Sequence, residues 1–234
     1  MPEDPDTTSP LDRRRFVQLA VAGAAAGVVR PSEAWLPFRQ SLRGVSKRSP
    51  DAALEELLAG NRRFAANQLT SIEHDLTILK ERTAEKQEPF AAVLACADSR
   101  VPVELVFDQS IGQIFVARVA GNIVTPEIVA SLEYAVAVLH VRALLVLGHT
   151  NCGAVKAAMK TDEVPGQISS LYLHLRPAVD QSTGNVDKAI ELNARLQAEL
   201  LKSSSTVVRQ ATAAAKLEVA GGVYDLGSGK VTVF

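Results

Sequence analysis

Phe90-Ala91-Ala92-Val93-Leu94-Ala95-Cys96-Ala97-Asp98-Ser99-Arg100 and Ala143-Leu144-Leu145-Val146-Leu147-Gly148-His149-Thr150-Asn151-Cys152-Gly153 share one pattern: an unbroken apolar run that ends in side chains able to bind metal. An apolar run without alternation reads as a parallel strand covered on both faces. In open parallel sheets the ligand crevice lies beyond the carboxyl ends of the strands. Cys96, Asp98, His149 and Cys152 are therefore expected at one end of one sheet, although they stand far apart in the chain.

Thiolate, imidazole and carboxylate are the groups that zinc takes as ligands, and two thiolates, one histidine and one aspartate fill a tetrahedral shell. The chain has only two cysteines, one in each cluster. The plain alternatives are a disulfide, or two thiols buried as small apolar groups. Either would leave Asp98, Arg100 and His149 at the same strand ends without a role.

Working outward, Ser49-Pro50-Asp51 starts a helix whose Leu54, Leu57, Leu58 and Phe64 recur at helical spacing through Asn67. A more polar helical stretch is expected around Ile72 to Lys86, then the first strand and a short helical turn from Val103 to Phe107. Gln113 to Arg118 reads as a second strand. Thr125-Pro126-Glu127 reads as an N-cap, first position and first-turn acid of a helix with Ile128, Leu132, Ala135, Val136 and Leu139 on one face. Strand–helix–strand alternation predicts an α/β fold, a mainly parallel sheet flanked by helices with right-handed crossovers. A helical region follows from about Ile168 to Lys216. Leu217 to Leu226 and Lys230 to Phe234, joined through Gly227-Ser228-Gly229, read as a hairpin finishing the sheet edge.

The 234 residues, 47% hydrophobic and 22% charged, suit one domain with a sizeable core plus an N-terminal extension. A formal net charge of −1, with no long basic run beyond Arg13-Arg14-Arg15, excludes an electrostatic case for nucleic acid and points to a small substrate. Residues 1–34 follow a separate logic. Asp12-Arg13-Arg14-Arg15-Phe16-Val17 looks like a twin-arginine export motif, Phe16 to Val29 is apolar and alanine-rich, and Ser32-Glu33-Ala34 offers a small-x-small cleavage site. That apolar stretch of roughly 14 residues is short of the roughly 20 that span a bilayer, so a cleaved signal with only transient membrane contact is expected. The destination is the periplasm or another exported location. Export of a folded protein would let zinc bind before the thiols meet oxidants. Residues 35–48 read as a linker or arm, and 49–234 as the functional domain.

The C-x-D-x-R cluster at Cys96–Arg100 and the H-x-x-C-G cluster at His149–Gly153, with Arg118-Val119-Ala120-Gly121-Asn122 between them, resemble the β-class carbonic anhydrases. The resemblance runs from about Ser49 to the C-terminus. It implies one zinc ion per chain, held by Cys96, Asp98, His149 and Cys152, and reversible hydration of carbon dioxide to bicarbonate and a proton by a zinc-bound hydroxide. It also implies a homodimer or tetramer, with N-terminal helices packed across a partner subunit. The helix pattern alone fits packing on its own sheet equally well.

Four protein ligands close a zinc site, whereas a catalytic zinc keeps a position for water. Arg100 resolves this conflict, because Asp98 can exchange its metal bond for a charge-assisted pair with the guanidinium. The resemblance further assigns Gln87, Phe115 and Tyr134 to the substrate pocket. On the residues alone, Gln87 reads equally as a solvated loop residue, and both aromatics as core packing. Gly153 could present its backbone N–H to bicarbonate or simply permit a turn. Arg118 and Asn122 are expected to fix the site loops. Val93 stands where some bacterial members carry the tryptophan of an inhibitory bicarbonate site, and Ala97 replaces the family's usual serine. Three other functions share these residues: a non-catalytic zinc- or bicarbonate-binding protein, a carbon disulfide or carbonyl sulfide hydrolase, and a thiol redox protein.

Overall fold

The computed structural model describes residues 48–71, 80, 83–160 and 164–234. The expected signal segment 1–34, nearly all of the expected arm 35–48, and most of the helical stretch expected at 72–86 lie outside the described residues. Among the described residues no helix is long and apolar enough to cross a membrane.

Four strands run parallel: β1 (Ala91–Ala95), β2 (Ile114–Arg118), β3 (Ala143–His149) and β4 (Glu218–Tyr224). A fifth, β5 (Val231–Val233), pairs antiparallel with β4, giving the order β2-β1-β3-β4-β5. Every residue of β1 and β3 is buried, as their continuous apolar runs predict for strands covered on both sides.

The alternation of side chains across the sheet assigns the two faces. Ala91, Val93, Ala95, Leu145 and Leu147 meet α1 (Pro50–Ala65) and α2 (Val103–Val106) through Ala53, Leu57, Val103 and Val106. Ala92, Leu94, Ala117, Leu144 and Val146 meet α3 (Pro126–Ala137), α6 (Val186–Ser204) and α7 (Thr206–Ala213) through Leu132, Ala135, Ala198, Leu201 and Val208. A third cluster forms where α4 (Gly153–Met159), α5 (Tyr172–Gln181) and α6 close on the strand ends, and it contains both cysteines.

Ser49 caps α1, its Oγ accepting from the Ala52 N–H at 3.2 Å. The helix packs on its own sheet. Gly60 is required where α1 crosses the end of α2, because a Cβ there would stand 1.8 Å from the carbonyl oxygen of Phe107. The helix stops at Ala65, and Asn67, at φ 57°, turns the chain.

Two local expectations change. Thr125 precedes α3 in extended conformation but makes no side-chain cap to the backbone; its hydroxyl donates instead to Glu127 Oε2 at 3.0 Å. The region from Ile168 to Lys216 is a 3-10 turn (Ile168–Leu171) followed by three helices. Thr183 and Gly184 at positive φ separate α5 from α6, and the extended Ser205 ends α6 and caps α7.

Candidate metal centre

Cys96 is the first residue beyond β1, His149 is the last of β3, and Cys152 is the N-cap of α4. The parallel pairing of β1 with β3 brings these strand ends side by side. Sγ of Cys96, a ring nitrogen of His149 and Sγ of Cys152 all lie within 4.8 Å of one another, and all three residues are buried. Both cysteines are free thiols.

The imidazole is oriented by its own backbone. His149 Nδ1 lies 3.0 Å from the carbonyl oxygen of Thr150, which can only accept, so Nδ1 donates there and Nε2 is the ring nitrogen left for the site. Nε2 is buried without a hydrogen-bond partner among the described residues. A buried polar nitrogen left in this way is costly, and a histidine whose other nitrogen donates to a carbonyl is how metal-binding imidazoles are held.

The two thiols titrate together, the first proton leaving more easily than the second. Cys96 is held well below the usual thiol range by the thiol of Cys152, against the opposing effect of burial, with further help from His149 and the Gly121 N–H at 3.3 Å. Cys152 is pushed up by its neighbour Cys96 and by burial, although the backbone N–H groups of Val155 and Ala154 face it. A second negative charge in this pocket needs a cation, and coordination to a metal deprotonates a thiol outright. The donor set and the orphaned Nε2 fit zinc.

Asp98 is turned toward Arg100. Its Oδ1 accepts from Arg100 Nε at 2.9 Å and from the Arg100 backbone N–H at 3.0 Å, and its Oδ2 accepts from Nη2 at 2.7 Å. The guanidinium, opposed by slight burial, holds this carboxyl well below the ordinary carboxylate range, and the backbone N–H and His149 add to it. Asp98 Oδ2 stands 3.8 Å from His149 Nε2, beside the three convergent ligand atoms. Arg100 Nη2 also reaches the carbonyl of Asn151 at 3.5 Å, tying the two site loops together.

Arg118 fixes the first loop from below, donating from Nε to the Cys96 carbonyl at 3.0 Å and from Nη2 to the Asp98 carbonyl at 2.6 Å. Thr150 fixes the second loop to the hairpin: its N–H donates to the Tyr224 carbonyl and its Oγ1 accepts from the Leu226 N–H. Gly121 sits at φ 78°, a conformation that favours glycine, and carries the N–H that meets Cys96. Nothing in the spacing of cysteines and histidine signals that N–H, because it is backbone.

The expected pocket residues are placed differently. Gln87 is exposed on the segment before β1, and Gly153 is exposed at the start of α4 with open space where a Cβ would stand. Phe115 on β2 and Tyr134 on α3 form a tilted ring pair with centroids 6.3 Å apart. Phe115 is half-buried and Tyr134 is 45% exposed, so this pair does not sit in the core as side-chain type alone suggests.

Comparison with known proteins agrees with the geometry. Residues 91–231 match the family model described as carbonic anhydrase. A carbonic anhydrase of Mycolicibacterium smegmatis is 35% identical over 193 residues, covering 78% of this chain and 92% of its own. One from Pseudomonas aeruginosa is 34% identical over 163 residues, covering 63% and 74%. Among solved structures, a tetrameric β-carbonic anhydrase of Sordaria macrospora superposes with a TM-score of 0.64 at 26% identity, covering 76% of this chain and 94% of its own. The enzyme from Coccomyxa gives 0.61 at 31% identity, covering 75% and 83%. The chain belongs to the β-class carbonic anhydrases, a zinc-dependent family. It is an enzyme of carbon dioxide hydration.

Proposed function

We propose that this enzyme hydrates carbon dioxide at one zinc ion per chain, held by Cys96, His149 and Cys152, with Asp98 moving between that metal and Arg100. The supporting observation is the three-donor grip of Arg100 on Asp98 beside three converging ligand atoms, which leaves the fourth position of a tetrahedral shell to water. Zinc, when bound, supplies the Lewis acidity that makes water a nucleophile near neutral pH. Asp98, kept ionised by Arg100, accepts a hydrogen bond from water at the site and orients it. Arg118 holds the Cys96 and Asp98 carbonyls, so the Asp98 side chain can move on a fixed turn. With zinc bound, Asp98 turned away from Arg100 would supply a fourth ligand and close the site to water.

The assignment of Gln87, Phe115, Tyr134 and Gly153 to substrate binding belongs to the same proposal. β2 is an edge strand, and the exposed Tyr134 ring packs on its Phe115, a surface suited to a second copy. The Sordaria relatives are described as tetrameric. We extend the proposal to a homodimer or tetramer whose partner shares the Phe115–Tyr134 surface, and to export by the Arg13–Arg15 motif with the enzyme domain spanning 49–234.

Zinc content and hydration rate measured on Cys96→Ser and His149→Ala test the site. Loss of both in each variant supports it, and a variant that keeps wild-type zinc and rate overturns it.

A further inference from the structure

The inner face of α6 is apolar except at two positions. Asn193 and Gln197, one helical turn apart, are 1% and 3% exposed. A buried amide is costly unless its donors and acceptors are paired, so two on one core face call for a reason. Their bonds lead toward the metal centre. Gln197 Oε1 accepts from the Val124 N–H at 2.7 Å, and its Nε2 donates to the His174 carbonyl at 3.1 Å and to Asn193 Oδ1 at 3.3 Å. Asn193 Nδ2 donates to the Gly121 carbonyl at 2.8 Å. Gly121 in turn gives its N–H to Cys96 Sγ.

We propose that Asn193 and Gln197 are positioning residues of the metal centre: they hold the 119–124 turn so that the Gly121 N–H stays on Cys96 Sγ, and so govern how much charge that sulfur gives the metal. The proposal rests on the zinc reading above. An N–H on a thiolate draws electron density away from the metal, and two thiolates otherwise neutralise the cation that must acidify water. Groups that orient and hydrogen-bond metal ligands are worth about 10–100-fold in metal affinity or activity. Gly121 has no side chain to be held by, and its left-handed φ leaves its carbonyl as the handle that Asn193 grips.

The test uses the full chain loaded with cobalt(II), whose thiolate-to-cobalt absorption reports directly on sulfur charge, together with the rate of metal release to a chelator. In Asn193→Leu, loosening of the Gly121 N–H shifts the absorption to lower energy, and the turn that no longer holds Cys96 in place lets the metal go about 10-fold faster, outweighing the stronger donation by the sulfur. Gln197→Glu keeps an acceptor for Val124 and weakens the link to Asn193, and so gives a smaller shift in the same direction; it carries the test if Asn193→Leu does not fold. Asn61→Leu is the control. Asn61 is equally buried and bonded, to Val106, Gly229 and Val231, but lies on the opposite face of the sheet. It lowers stability and leaves absorption and release unchanged. A wild-type band that neither α6 variant moves, or one that Asn61→Leu moves as far, overturns the proposal. Wild-type protein without a thiolate–cobalt band overturns the metal reading itself.

Discussion

Arg100 binds Asp98 through both side-chain oxygens, at 2.9 Å and 2.7 Å, while the same carboxylate stands 3.8 Å from Nε2 of His149. The two residues are separated by one serine, so their pairing is set by the turn after β1. Under the proposed mechanism this carboxylate has two competing partners, the guanidinium and a bound metal: pairing with the first would leave a coordination position free, and binding to the second would fill it.

Removing the competitor should therefore trap the closed state. Arg100→Ala is expected to keep about one zinc per chain and to lose kcat by about 10²-fold or more, the scale of a lost proton-transfer or orienting group. Paired zinc and rate measurements check this, and full activity in the variant would remove Arg100 from the mechanism.

A second aspartate has a structural task. Burial opposes the charge of Asp108, yet Arg63, Ser71 and Thr70 donate to it and hold its pKa well below the ordinary range. A depressed folded pKa contributes stability that is fully present above the unfolded value of about 3.9 and is lost as pH falls through the folded one. Asp108→Asn should cost about 3 kcal/mol at neutral pH, as the buried side chain leaves Arg63 without its partner charge. Urea melts should show the gap closing as pH falls below about 4, and a gap independent of pH would contradict the assignment.

The α1–α2 crossing depends on a missing side chain. A Cβ at Gly60 would meet the Phe107 carbonyl at 1.8 Å, and backbone cannot yield as a flexible side chain does. Gly60→Ala is expected to destabilise by about 2–3 kcal/mol, at the upper end of overpacking costs. Equilibrium denaturation checks it, and a neutral outcome would mean that α1 slides freely on the sheet.

Metal should be coupled to stability as well as to chemistry. The ligand atoms of Cys96, His149 and Cys152 converge only in the folded chain, so the folded chain binds zinc far better than the unfolded one. Free zinc at about 100 times its Kd should add about 2.7 kcal/mol. Thermal melts with and without chelator should differ by several degrees, and coincident melts would contradict a site formed by these residues.

The sheet was legible because β1 and β3 are apolar without interruption, and only strands buried on both faces combine that pattern with polar clusters at their ends. The convergence of Cys96, His149 and Cys152 was legible because cysteine and histidine announce their chemistry at the ends of adjacent strands. Helix punctuation in the C-terminal region was less so: Thr183 takes a positive φ without being glycine, and the two serines before Ser205 continue α6 rather than end it. Asn193 and Gln197 escaped notice for another reason. Amides at helical spacing on an amphipathic helix read as its wet face, and only tertiary packing turns these two inward toward Gly121. The same holds for the Gly121 N–H on Cys96, which no side chain encodes.

If Asp98 leaves the metal to Arg100 and thereby opens a zinc site for carbon dioxide hydration, rate and metal content should move together. Stopped-flow hydration at about pH 7 and about pH 8.5, with zinc quantified on the same sample, tests it most directly. Activity should rise with pH at about one zinc per chain. Full zinc without activity at either pH would contradict it and leave a closed binding protein.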